Sequence, residues 1–307
     1  MKKRLFSLLL ALAMLATMFV MPVSATEAAT EDTTTETPTA QVGYCQHCKQ
    51  QIPEEQWLPW DESNTGPRTG HYYLSEDIKN QDSQITINLD DDLMRNVICL
   101  DLRGRSYTVI GRRAFLIYGV FSIMDSVGGG EIAVTGQTGN ANGAFCQMGK
   151  KTGVVDGAGE LNIYSGTLRR ISTNEQLVAY GGLIYAATGS TVNLHGGKLV
   201  GGVVQPRYNS SGSPVSPKGG TVFLTGSNLN VYGGTITGGI AKDGNLTLSD
   251  GTSKKYEGTG GNIYAESKST ITISGGVIEN GYAGTYGGNI HAKDSTFTMT
   301  GGEIRGG

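Results

Sequence analysis

The sequence predicts an all-β solenoid, a parallel β-helix, and three observations carry the prediction: a repeated block, an alternation of apolar and polar residues inside it, and an excess of glycine. The block is Gly260-Gly-Asn-Ile-Tyr-Ala followed by Thr270-Ile-Thr-Ile-Ser-Gly-Gly-Val-Ile-Glu-Asn-Gly281. It recurs 27 residues on as Gly287-Gly-Asn-Ile-His-Ala and Thr296-Phe-Thr-Met-Thr-Gly-Gly-Glu-Ile-Arg-Gly306. Looser copies start at Gly181 and Gly219. Within each copy Val192/Leu194, Leu229/Val231, Ile271/Ile273 and Phe297/Met299 fall on one face of a short strand, and Thr, Asn and Ser on the other. One unit has nothing against which to bury that face, so the units must stack strand on strand, about 4.8 Å apart. The 47 glycines follow from the several tight turns that each coil needs.

Taken in order, the chain opens with Lys2, Lys3 and Arg4, an apolar run from Leu5 to Val20, and Val23-Ser-Ala25. That is the pattern of a secretory signal peptide over residues 1–25, so the mature protein is expected to be secreted, extracellular or at the cell surface, with no membrane span after cleavage. Cleavage removes three positive and no negative charges, which takes the net charge from −3 to −6. A mildly acidic chain without a basic stripe excludes nucleic acid as a partner. Residues 26–41 are rich in Thr, Glu and Ala and lack the apolar content to order themselves, which makes them a linker.

Residues 42–83 carry Cys45-Gln-His-Cys48 and the pair Trp57 and Trp60. Cys45 and Cys48 have the spacing of half a zinc site, with His47 between them and His71 as the next nearest candidate. In an exported protein a local Cys45–Cys48 disulfide is an equal reading, and both stand at this stage. Cys99 and Cys146 read as small buried hydrophobes. Apart from zinc at this segment, the sequence asks for no cofactor.

From about residue 84 to 307 the repeats take over. Together with Val97-Ile-Cys-Leu-Asp-Leu-Arg-Gly-Arg-Ser-Tyr-Thr-Val-Ile and Gly119-Val-Phe-Ser-Ile-Met-Asp-Ser, this region resembles the right-handed parallel β-helix repeat proteins of pectate-lyase-like architecture. The resemblance implies a right-handed coil. It also implies that the Cys-x-x-Cys segment with its tryptophans is a small N-terminal cap over the first coil's apolar end. It does not fix an activity, because the same solenoid carries lyases, hydrolases and adhesins. The chain stops inside a repeat, and the expectation is an incomplete solenoid whose final coil, with Phe297, Met299 and Ile304, is open to self-association.

Insertions recur at one place in the template, over Ser172–Tyr180, Val203–Lys218, Ile240–Gly258 and Tyr282–Tyr286, with Asn245–Leu248 alternating like an extra strand. Stacking sets them side by side along one edge. They and their flanks carry Arg169, Arg170, Tyr180, Arg207, Tyr208, Lys254, Lys255, Tyr256, Tyr282 and Tyr286. Tyrosine faces can stack on sugar rings and cations can pair with uronate or sulfate, so the expected partner is an extracellular glycan, or else a surface protein. A second column, Tyr185, Phe223, Tyr264 and His291, is expected to stack outward and to stabilise the sheet. No catalytic residue can be assigned: the repeats are poor in acids, and Asp90, Asp91 and Asp92 are adjacent rather than facing. The expected role is therefore binding, adhesion or surface architecture. A polysaccharide lyase or glycoside hydrolase is the alternative, and a passive stalk is the third reading.

Overall fold

The computed structural model describes residues 42–60, 68–81, 84–88, 96–111, 113–135, 142–150, 158–171 and 178–307. The expected signal peptide and linker, the run Asp90 to Asp92, and the start of the insertion at Ser172 lie outside the described residues. No described helix is long and apolar enough to cross a membrane.

Three long parallel sheets of nine, eight and seven strands hold most of the described strands. The chain visits them in rotation. After a hairpin of β1 (Tyr44–Cys45) and β2 (Gln50–Gln51), β3 (Trp57–Pro59) opens the nine-stranded sheet. One circuit then runs through β4 (Gly70–Tyr73), β5 (Ile78–Gln81) and β6 (Ile85–Ile87), and the next begins at β7 (Val97–Asp101). The sheets thus start upstream of residue 84, where the sequence placed their first strand. The region expected to be only a cap supplies β3, β4 and β5.

Register puts equivalent residues in columns. Leu100, Ile123, Ile163, Leu194, Val231 and Ile273 are successive partners across the nine-stranded sheet, and all are buried. They belong to one apolar core that runs from Trp60 to Ile278. Each such side chain contributes about 1.5–3 kcal/mol by leaving water, but only because the neighbouring circuit covers it. Trp60 closes the N-terminal end of this core, packed on Tyr72, Phe115 and Phe121. Trp57, expected beside it, faces the opposite way, because three positions along a strand reverses the side.

The Gly-Gly-Asn corners lock the circuits together. A Cβ on Gly261 would lie 1.9 Å from Gly288 O, so only glycine lets the two corners approach. Asn262, fully buried, accepts from Thr221 Oγ1 (3.1 Å) and from the Gly239 N–H (2.8 Å). Its Nδ2 donates to Glu279 O (2.8 Å) and to Asn289 Oδ1 (2.7 Å). Those four bonds use both amide hydrogens and two acceptor positions, bracing one circuit against the next. Asn289 continues the brace, accepting from the Gly281 N–H and donating to Arg305 O.

The expected insertions do stack. Val203–Val204, Ile240–Ala241 and Tyr282–Ala283 form a separate three-stranded parallel sheet along one edge. The anticipated extra strand is there as well, Gly244–Thr247 pairing antiparallel with Ser253–Tyr256. At the last circuit Phe297, Met299 and Ile304 are 42%, 39% and 38% exposed, whereas their register partners Ile271, Ile273 and Ile278 are buried.

Candidate metal centre

The β1–β2 hairpin is closed by a turn over Cys45–Lys49. Lys49 N–H donates to Cys45 O (2.8 Å), Cys48 N–H donates to Cys45 Sγ (3.4 Å), and Lys49 takes a left-handed φ of 57°. With only two residues between them, both thiols are brought to one side of the turn. The hairpin lies against the outer face of the nine-stranded sheet. There, His71 on β4 and Cys99 on β7 are direct register partners, 28 residues apart in sequence and one strand spacing apart in space.

These elements bring four donor atoms together. Cys45 Sγ is 3.4 Å from Cys99 Sγ, Cys48 Sγ is 3.4 Å from His71 Nε2, and all four atoms lie within 4.8 Å of one another. Tetrahedral zinc with bonds of about 2.3 Å to sulfur sets its thiolates about 3.8 Å apart, so the donor set fits a metal of that size with shifts of up to about an ångström. Cys45 and Cys99 are buried and Cys48 is exposed. The surroundings are apolar and aromatic: Ile52, Met124 and Trp57 pack here, with the Trp57 ring 5.1 Å from His71. Arg103 lies 3.9 Å over the Tyr73 ring and is clamped by Glu54 through bonds of 2.8 and 3.0 Å.

Without a metal the thiols share little negative charge. A hydrogen bond from Cys99 holds the Cys45 thiol down at about 5, and the same bond, with burial, pushes Cys99 far above its ordinary value. Burial pushes Cys48 up to about 11. A divalent cation would stabilise all three sulfurs as thiolates.

The sequence named Cys45, His47 and Cys48. The structure keeps the two cysteines and the next nearest candidate, His71, leaves His47 out of the four, and adds Cys99, which the sequence reads as a small buried hydrophobe. Parity was the available signal. Ile98 and Leu100 point inward, so Cys99 between them must point out, and an outward cysteine on a strand needs a reason. Cys146 does sit in the apolar core, as expected.

The residues expected along the loop edge scatter into different roles. Arg169 pairs with Glu131 (2.5 Å) and Lys255 with Asp243 (2.7 Å). Arg170 is 4% exposed, donates to Gly182 O and Val203 O, and is pushed down to about 10 by burial. Arg207 is also buried and donates to Asn142 Oδ1 (2.8 Å). Tyr208 bonds Thr247 O, and Lys254 lies 5.8 Å over Tyr256 on the antiparallel hairpin. Tyr180 stacks on Phe223 at 4.9 Å. Tyr282 and Tyr286 are the open ones, 59% and 58% exposed. The sequence took exposure for granted at Arg170 and Arg207, whereas both turn inward, Arg170 onto the Gly182 and Val203 carbonyls and Arg207 onto the Asn142 side chain.

The aromatic column stacks as expected, Tyr185 on Phe223 (5.2 Å), Phe223 on Tyr264 (5.7 Å) and Tyr264 on His291 (5.1 Å). Phe223 and Tyr264 are buried, and Lys218 lies 4.8 Å over Tyr264 while pairing with Glu266. Ring faces spent on one another leave only edges for a ligand, so this column serves the sheet. Compared with protein-family models, with curated proteins and with solved structures, the chain has no match in any of the three.

Proposed function

We propose that the protein is an exported right-handed parallel β-helix of pectate-lyase-like architecture, whose N-terminal hairpin is fastened to the coil by a structural zinc ion on Cys45, Cys48, His71 and Cys99, and whose role is binding or surface architecture. The constellation of three thiols and an imidazole within 4.8 Å carries the zinc reading. All four positions would be protein ligands, which leaves none open for substrate, and a closed set of this kind is structural rather than catalytic. His71 would offer Nε2 as a neutral imidazole, and each thiol would give up its proton on binding.

Metal analysis of the purified protein should find one zinc per chain. Cobalt in its place should give the visible absorption of a tetrahedral thiolate site. Cys48→Ser and His71→Ala should each lose the metal, with Cys146→Ser as the control that keeps it. Protein refolded with zinc under reducing conditions that still holds no metal would overturn the assignment.

A glycan along the insertion edge is the accompanying binding proposal, supported by Tyr282 and Tyr286, whose side chains on that edge are largely open to solvent. With Arg169 and Lys255 paired and Arg207 buried, affinity would rest on these rings more than on charge. Double replacement of Tyr282 and Tyr286 by Ala should lower retention on polysaccharide columns at least tenfold, and retention should change little with salt. Equal retention of both proteins on every polysaccharide tried, or an unsaturated product or new reducing ends after incubation, would refute the reading; the latter result would favour the lyase or hydrolase alternative.

A further inference from the structure

We infer that the centre has a second covalent state, in which Cys45 and Cys99 are joined as a disulfide and Cys48 is left as an exposed thiol. This deepens the metal reading and rests on it only in that a bound metal must leave first. The pairing differs from the local Cys45–Cys48 bridge that the sequence suggests. In the structure Cys45 Sγ faces Cys99 Sγ at 3.4 Å, while Cys48 Sγ is turned to His71 Nε2. Closing the first pair to a bond of about 2.05 Å needs a movement of little more than an ångström, at the base of a hairpin. It would link residues 54 apart, and a long closed loop removes more freedom from the unfolded chain than the short Cys45–Cys48 loop does.

Exposure sets the route. Cys45 and Cys99 are buried, so a small-molecule disulfide oxidant such as oxidised glutathione meets Cys48 first. Cys48 gives up its proton as its sulfur attacks the reagent, the reagent's S–S bond breaks, and one glutathione leaves as the thiol with that proton. Cys45 sulfur then attacks Cys48 sulfur and releases the second glutathione. Last, Cys99 sulfur attacks Cys45 sulfur, the Cys45–Cys48 bond breaks, and Cys48 takes up the proton that Cys99 gives up. Two protein thiols have lost two electrons and two protons, and one disulfide reagent has become two thiols. The hairpin stays tied to the sheet in both states, and what changes is Cys48: a ligand in one, an accessible thiol open to modification in the other.

The test uses the whole purified protein, stripped with a chelator and treated with oxidised glutathione. Trypsin releases Cys99 in the peptide Asn96–Arg103, separate from the peptide ending at Lys49 that carries Cys45 and Cys48. The expected result is a cross-link between those two peptides, a fall from four thiols to two, and alkylation of the folded oxidised protein at Cys48 alone. Cys48→Ser should reach the same cross-link at least tenfold more slowly, having lost its point of entry. A bridge confined to the Cys45/Cys48 peptide, or four thiols surviving, overturns the inference. Zinc content of the untreated protein reads the metal assignment separately: cross-link without zinc leaves this inference standing alone, and zinc without cross-link refutes it.

Discussion

Phe115→Ala will destabilise the protein by about 3–5 kcal/mol, the range for removing a fully buried aromatic ring. The ring has no exposed surface and meets Phe121 at 4.8 Å, Phe145 at 5.2 Å, Tyr107 at 6.1 Å and Trp60 at 6.4 Å. Those partners come from four different strands or corners, so the gap cannot be closed by moving one of them. The damage should be local along the stack, because each circuit touches only its neighbours. Hydrogen exchange should show protection lost from β4 to about Met148 while Ile271, Ile273 and Ile278 stay slow. Thr272→Ala, an outward change, should alter stability by no more than about 0.5 kcal/mol. Uniform loss along the whole chain, or no loss at Phe115, would contradict this account of the core.

Gly261→Ala tests the corners, with an expected loss of about 3 kcal/mol from forced separation and broken hydrogen bonds. The added carbon would sit 1.9 Å from Gly288 O, 2.4 Å from Tyr282 N and 2.7 Å from Tyr282 C, all backbone atoms that cannot swing away. Relief requires the last circuits to draw apart. That breaks the bonds from Gly261 N–H to Gly287 O (2.9 Å), Asn262 N–H to Asn289 O (3.1 Å) and Ile263 N–H to Asn289 O (2.8 Å). Fast exchange from residue 260 onward, with the N-terminal circuits intact, is the signature to look for. Gly149→Ala is the matched control, since the nearest atom would be 4.0 Å away. If both variants unfold alike, close corner packing is not what constrains the Gly-Gly pair.

Much of the fold was legible because parity and repetition are local properties. Ile271/Ile273 inward and Thr270/Thr272 outward follow from a period of two, and the 27-residue step from Gly260 to Gly287 returns as register between Ile263 and Ile290. The insertion edge was legible for the same reason, since equal positions in a repeat become neighbours. The metal centre was only half legible. Cys45 and Cys48 announce themselves by spacing, but His71 and Cys99 meet them only because β4 and β7 are adjacent, and β4 precedes the region where the repeat can be recognised. The inward turn of Arg170 and Arg207 was hidden too. Arg170 bonds the main-chain carbonyls of Gly182 and Val203 and Arg207 the side chain of Asn142, contacts set by which corners meet and recorded by no local side-chain pattern.

The hairpin's attachment also settles how the molecule would bear a load. Inter-strand hydrogen bonds in this stack run from circuit to circuit, so a pull along the stack at a bare terminal strand would open the ladder like a zip, a few bonds at a time. A pull on the chain ahead of Val42 does not reach β3 first. It meets the clasp, and with a metal or a sulfur bond there it passes straight through His71 or Cys99 into β4 or β7, the second and third strands of the nine-stranded sheet. With such a bond in place the strand most easily peeled is out of the line of force, and this end of the sheet would yield only when a coordinate or covalent bond does.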